Sequence, residues 1–250
     1  MSRPGIAVVT GAASGVGRAV SEMLRASNHD VIGVDLKWPE ASPGDITQVE
    51  GSVSDWATWN TVARLIESRG APVEKLVINA AKLVVGAVLD VSEEDFSLTL
   101  DINVLGALYA LKTCLPGMVE ARMGSIVAVA SVDALLVEQD LSAYCTSKGA
   151  LLQLVRSVAV DYGHKGIRAN SVCPGAINTP FFRQHVEAAA DPDEFLRVKT
   201  ARHPSGRILE AEDVAAAVMY LLGQGAVGVN GTELVVDGGL TATFDYHPPE

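Results

Sequence analysis

A chain of 250 residues, 48% hydrophobic and 20% charged, has enough apolar side chains to bury a sizeable core within one α/β domain. Its net charge of -11 argues against nucleic acid or an anionic membrane as a partner. The three cysteines, Cys114, Cys145 and Cys173, lack C-x-x-C spacing, so no metal site and no disulfide framework is expected, and scattered thiols fit a cytoplasmic setting.

The chain enters a strand by Ile6, which leaves no room for a signal peptide, and no apolar run reaches the ~18 residues of a membrane span. Ile6–Thr10 is a short β-branched run that reads as a buried strand. It passes directly into Thr10-Gly11-Ala12-Ala13-Ser14-Gly15-Val16-Gly17, with a helix expected over 18–25. Glycines at such a turn permit a tight bend and let backbone N–H groups approach a pyrophosphate at the helix N-terminus. The spacing is G-x-x-x-G-x-G rather than the commoner G-x-G-x-x-G. Glycine is frequent in any strand-to-helix turn, so the weight comes from its place between the first strand and the first helix. Asp30–Asp35 reads as the second strand, ending in an acid about 20 residues past the turn, where a carboxylate hydrogen-bonds the adenosine ribose. A solvated loop acid would look the same in sequence. A carboxylate there repels a 2′-phosphate, Leu36 stands where a phosphate binder needs Arg or Lys, and Ser14 adds no cation. NAD is therefore expected over NADP, with Lys37 as the opposing signal.

A Pro- and acid-containing connection over 38–45 leads to a strand at Thr47–Glu50 and a helix over 55–68. The next strand, 75–78, ends at Asn79-Ala80-Ala81, small residues that let a flat ring lie close to the backbone. A helix starting near Ser92 has Glu93, Glu94 and Asp95 in its first turn, suited to the macrodipole. A longer helix is expected over 102–121, with Asn103 at its start. A lone amide among apolar neighbours is usually a satisfied core group, although it also suits holding a water. The strand over 124–130 delivers Ser131. The helix over 141–162 then presents Tyr144 and Lys148 one turn apart on one face. A phenol with a pKa near ~10 is a poor acid or base at neutral pH. A neighbouring cation lowers that pKa and makes the phenol usable. By itself a Tyr-x-x-x-Lys pair occurs by chance on many helices. A further strand over 166–173 is closed by Pro174-Gly175. From 176 to 205 the pattern loses regularity and holds Phe181, Phe182, His185 and Phe195, which reads as a partly helical lid over a pocket. Helix Ala211–Leu222 and strand Glu233–Val236 close the core. The tail over 240–250 looks detached, and its Tyr and Pro content suits reaching a neighbouring subunit.

Short apolar strands alternate with helices throughout, which implies one domain with a doubly wound, Rossmann-type parallel sheet and helices on both faces. Ligands in such sheets bind at the C-terminal strand ends. Gly15, Asp35, Asn79, Ser131 and Pro174 all fall on that edge.

With these residues in hand, the chain resembles the short-chain dehydrogenase/reductase family, in its compact single-domain branch. The likeness runs from Thr10 to Gly239 and rests on motifs in a fixed order: Thr10-Gly11 with Gly15 and Gly17; Asn79-Ala80; Asp101-Ile102-Asn103; Ser131; Tyr144 with Lys148; Pro174-Gly175 with Thr179; and Asp237-Gly238-Gly239. The resemblance implies that Tyr144 is the general acid/base, that Lys148 binds the nicotinamide ribose and lowers the tyrosine pKa, and that Ser131 hydrogen-bonds the substrate oxygen. Asn103 would hold a water in a proton relay to Lys148. The cofactor would lie on Gly11, Ser14, Gly15, Val16 and Gly17, then on Asp35, Leu36, Ser52 and Val53 around adenosine. It would continue over Asn79, Ala80 and Ala81 to Tyr144 and Lys148, with Pro174, Gly175, Ile177 and Thr179 at its carboxamide end. The two longest helices, over 102–121 and 141–162, would pair between subunits, giving a homotetramer or dimer. Departures from the family pattern are Ile78 and Ala81 where an asparagine and a glycine are usual, Ser52 in place of an acid, and Asp133 with Ala134 in place of small residues.

The implied function is NAD-dependent interconversion of a secondary alcohol and its ketone. Two alternatives remain: an NADPH-dependent 3-oxoacyl-carrier-protein reductase, opposed by Asp35 and the acidic surface, and a catalytically silent NAD-binding sensor, opposed by the intact Ser, Tyr and Lys. A nucleotide-sugar epimerase would need a larger C-terminal region. For the substrate, Leu135, Leu136, Val137, Phe181 and Phe182 suggest an apolar pocket, and Lys82, Glu138, Gln139 and His185 polar contacts.

Overall fold

The central strands are short, largely β-branched apolar runs, because helices cover both faces of the sheet, whereas the edge strand at Thr47–Glu50 has only Val49 buried. In the computed structural model, which describes residues 4–40, 45–243 and 246, these runs form β1 (Ile6–Thr10), β2 (Asp30–Asp35), β3 (Thr47–Glu50), β4 (Val73–Ile78), β5 (Gly124–Val129), β6 (Ile167–Pro174) and β7 (Glu233–Val236). They pair in parallel as one seven-stranded sheet of order β3-β2-β1-β4-β5-β6-β7. The order reverses at β1, which pairs with β2 on one side and β4 on the other. In open α/β sheets that switch point opens the crevice in which ligands bind.

Helices α1 (Gly15–Ala26) and α8 (Ala211–Leu222) cover one face, and α2 (Trp56–Arg69), α4 (Gly106–Ala121) and α5 (Ser142–Tyr162) cover the other. Val20, Leu24, Val218 and Leu221 fill the first layer. Trp59, Leu111, Met118, Leu151 and Val155 fill the second. Helix α1 starts at Gly15 rather than at Arg18, because the first turn winds through the glycines themselves.

Two expectations need correction. The helix expected over 102–121 is the last part of a longer one: α3 (Glu93–Leu100) runs through a π-helical turn, Asp101–Leu105, into α4. The wider turn buries Asn103, only 1% exposed, among polar partners. The merged helix Glu93–Ala121 has 29 residues and is long and apolar enough by composition to cross a membrane, contrary to the reading that no such run exists. It is nonetheless a core helix, since Leu111, Leu115 and Met118 pack under the sheet.

The region over 176–205 contains α6 (Pro180–Glu187) and α7 (Pro192–Ala201). Each opens with an N-cap, Thr179 or Asp191, followed by proline at the first helical position. At the C-terminus, Leu240–Ala242 forms a short 3-10 turn; most of the expected tail lies outside the described residues.

Candidate active site

Strand β5 ends against helix α5, and the two position the proton-transfer groups. Ser131, 7% exposed, adopts an extended backbone and caps a short 3-10 turn, Val132–Ala134. Its hydroxyl donates to Asp133 Oδ2 at 3.0 Å and accepts from the Asp133 backbone N–H at 3.1 Å. On α5, Tyr144 and Lys148 are both buried. Lys148 Nζ donates to the Val129 carbonyl at 2.9 Å and lies 5.5 Å from the centre of the Tyr144 ring. The same strand end therefore holds the serine and anchors the lysine.

The electrostatics differ from the expectation. Burial, and then the nearby Asp133 carboxylate, push the Tyr144 phenol upward, with hydrogen bonding to Ser131 opposing them. Lys148 itself is lowered to about 8, first by burial. The protein's own groups thus keep the phenol neutral, and the lysine does not pull it into the working range.

Asn103 is fully engaged. Its Nδ2 donates to the Lys82 carbonyl at 2.9 Å and to Ser147 Oγ at 2.8 Å, and its Oδ1 accepts from the Lys82 N–H at 2.7 Å. Both amide protons are committed, so the side chain ties the segment after β4 to α5 and keeps only one oxygen lone pair for a water.

The glycine turn forms a cradle. Gly15 has φ +51°, and a Cβ on Gly17 would come within 2.0 Å of the Gly11 carbonyl oxygen. Ser14 caps α1 without a side-chain hydrogen bond, which leaves the first-turn amides for an anion. Asn79 Nδ2 donates to the Thr10 and Gly11 carbonyls at 3.1 and 3.2 Å, locking the end of β4 to the turn. Asp35 Oδ2 accepts from the Ala13 N–H at 2.9 Å, which holds the carboxylate beside the cradle. Leu36 is 65% exposed. Ser52 hydrogen-bonds Ser54, Oγ to Oγ at 2.8 Å, and Val53 accepts from Trp59 Nε1 at 2.7 Å through its carbonyl. These features fit a dinucleotide: close backbone amides for the phosphates and a placed carboxylate for a ribose.

One cavity of about 1190 Å³ runs along the C-terminal edge of the sheet. Of the cofactor and catalytic residues expected from sequence, all but Gly17 and Asn103 line it, and of the expected substrate-pocket residues all but Leu135. The lining includes Ala80, Ala81, Pro174, Gly175, Ile177 and Thr179.

Its other end joins residues expected from sequence, Glu138, Phe181, His185 and Phe195, to Lys199 and His203, which the sequence did not single out. Lys199 of α7, 9% exposed, forms an ion pair with Glu138 of the loop after Ser131. Burial, then Arg202, lower Lys199 to about 8. Buried His203 faces the Lys199 carbonyl through Nδ1 at 2.8 Å, and its Nε2 has no partner among the described residues. Phe195 stacks edge-on against His185 at 5.0 Å, and Phe181 lies 6.4 Å from the Tyr144 ring. The only sequence signal for this cluster was polar and aromatic content in the two loops.

Comparison with known proteins agrees with this geometry. Residues 11–241 match a family model described as enoyl-(acyl carrier protein) reductase. The chain is 38% identical to 2-(R)-hydroxypropyl-CoM dehydrogenase of Xanthobacter autotrophicus, over 97% of this chain and 100% of that protein. It is 32% identical to dehydrogenase/reductase SDR family member 6 of Danio rerio, over 94% of this chain and 96% of that one. Among solved structures, ligand-free aldohexose dehydrogenase of Thermoplasma acidophilum superposes with a TM-score of 0.91 at 32% identity, covering 99% and 98% of the two chains. With a matching family model over most of its length, full-length relatives and the same fold, the chain belongs to the short-chain dehydrogenase/reductase family, oxidoreductases that use nicotinamide cofactors.

Proposed function

We propose that the protein interconverts a secondary alcohol and its ketone with NAD as hydride carrier and Tyr144 as general acid/base. The observation that carries this reading is the meeting, in one cavity, of the glycine cradle with Asp35 at one end and Ser131, Tyr144 and Lys148 at the other. NAD is favoured over NADP because Asp35 is held beside the cradle by Ala13 and is followed by the exposed, apolar Leu36.

The cofactor, when bound, supplies the hydride acceptor and, in its oxidised form, a positive charge close to the phenol. Ser131 positions the reacting oxygen. Neutral Tyr144 donates a proton to a ketone. Alcohol oxidation draws on the phenolate, so it gains as pH rises. Lys148, anchored on Val129, holds its ammonium beside the phenol and is placed to meet the ribose. Glu138, Lys199 and the aromatic side chains of the lid close the substrate end. The protein would act as a cytoplasmic homotetramer or dimer paired through α4 and α5. This assembly would cover apolar side chains such as Val160, which is 80% exposed.

The test is a panel of secondary alcohols offered with NAD or NADP and read by absorbance of the reduced nicotinamide. Suitable members are 2-butanol, cyclohexanol, 1-phenylethanol, a steroid alcohol, an aldohexose and 2-hydroxypropyl-CoM, the last two chosen from the names of the relatives. Reduction of NAD by at least one member, with NADP much poorer, is expected. Silence across the panel, or equal use of the two cofactors, would overturn the reading. A 3-oxoacyl carrier-protein substrate with NADPH is the control for the alternative.

A further inference from the structure

The roles just proposed leave Asp133 unexplained. It is a half-buried carboxylate two residues past Ser131, and it lines the cavity. We propose that Asp133 is a positioning residue that fixes the direction of the Ser131 hydroxyl, so that the site binds the alcohol form of its substrate in preference to the ketone. This inference rests on the alcohol/ketone reading above.

A serine hydroxyl has one proton and two lone pairs. Here Asp133 Oδ2 lies 3.0 Å from Ser131 Oγ, and the Asp133 N–H occupies one lone pair at 3.1 Å. A carboxylate only accepts, so the serine proton belongs to Asp133. Turning that proton toward a substrate would leave two oxygens facing each other at 3.0 Å with no hydrogen between them. One Ser131 lone pair therefore remains, and Ser131 and Tyr144 both line the cavity. Burial raises the Asp133 carboxyl, opposed by its hydrogen bond to Ser131 and by two cations on other elements, Lys199 on α7 and Lys148 on α5.

A substrate meets this arrangement asymmetrically. An alcohol donates its O–H to Ser131 Oγ and accepts the phenolic proton of Tyr144, so every group is matched. A ketone has only lone pairs. It takes the Tyr144 proton, but its oxygen faces the unmatched lone pair of Ser131. The preference is one of ground-state binding. The overall equilibrium belongs to substrate and cofactor, and compensating changes in kcat preserve it.

The preference is read from complexes that cannot react. For the alcohol and ketone pair with the best turnover in the panel, inhibition constants are measured for the ketone with enzyme and NAD, and for the alcohol with enzyme and NADH. In Asp133→Asn the amide donates N–H to Ser131 Oγ and releases the serine proton to the substrate. The ketone constant should then fall relative to the alcohol constant by about tenfold, the size of one hydrogen bond gained. Asp133→Ala removes the acceptor and should move the ratio the same way. In a Ser131→Ala background, Asp133→Asn should leave the ratio unchanged. A merely structural role would weaken both ligands together. An unchanged ratio in both variants, or a shift that persists without Ser131, overturns the proposal while alcohol-dependent reduction of NAD continues. Absence of any such reduction in the unmutated enzyme removes the functional reading itself.

Discussion

The two ends of the cavity are held in different ways. At the cofactor end the contacts are mostly to backbone and tie strand ends of the sheet to the glycine turn. Asn79 grips the Thr10 and Gly11 carbonyls, Ala13 holds Asp35, and the glycines let the chain approach itself closely. At the substrate end the contacts are between charged side chains, as in the Glu138–Lys199 pair between the loop after Ser131 and α7. Helices α6 and α7 are capped but bury few side chains. The first arrangement suits one invariant ligand. The second suits a wall that has to be rebuilt for each substrate, because an ion pair outside the sheet is exchanged by two substitutions without touching the strands.

The comparison makes predictions that separate the two ends. The largest effect is expected where they meet. Tyr144→Phe should lower kcat by about 10²–10⁴, the range of general acid–base catalysis, while the NAD dissociation constant stays the same. Turnover that survives the change would remove Tyr144 from its role. At the cofactor end, Asp35→Arg should shift the NAD-to-NADP preference by about 10–100-fold, the loss of one charge-assisted hydrogen bond and of the repulsion toward a 2′-phosphate. Steady-state kinetics with both cofactors reads this, and the KM for the alcohol should not move. At the substrate end the pattern should invert. Glu138→Gln leaves Lys199 without its partner and should destabilise the fold by about 1 kcal/mol, seen as a fall of a few degrees in Tm. It should also raise the alcohol KM and leave NAD affinity intact. A change in NAD affinity instead would mean that the ends are not independent.

The smallest effect is a pH trend in stability. Lys148 and Lys199 are each lowered to about 8 in the fold, from 10.5. Above that value they lose protons in the folded protein before they do in the unfolded chain. The unfolded state then binds more protons, so stability rises with pH from about 8. Burial raises Cys114 to about 12 and Cys145 and Cys173 to about 11, from 9.0, and these three thiols together reverse the trend of the two lysines once the unfolded thiols ionise. Melting between about pH 8 and 9 should therefore show an increasing Tm. Lys148→Met should raise Tm at neutral pH and flatten that increase.

Much of this molecule is readable from its sequence where the physics is local. Strand β7 and helix α8 begin and end where their apolar runs do. The glycine turn and Asp35 are legible because their spacing is fixed by one strand–turn–helix–strand unit. The Tyr144–Lys148 pair is legible as a helix face, but the direction of the phenol's shift is not, since it depends on burial and on Asp133. Asn103 was visible as an amide, whereas its bonds to Lys82 and Ser147 depend on a π turn that no periodicity announces. The Glu138–Lys199 pair spans 61 positions, and although Glu138 is legible as a polar contact, nothing in the sequence marks Lys199 as its partner.

The carbonyl of Val129 that receives Lys148 stands two residues before Ser131 on a single extended segment. Sliding that segment by one residue would turn the Ser131 side chain to the other face of the sheet and the Val129 carbonyl to the other edge of the strand at once. Hydroxyl and ammonium thus share one mechanical mount. Their spacing is set by the rise of a strand rather than by two loops, and lineages are free to remodel the lid above without retuning the distance below.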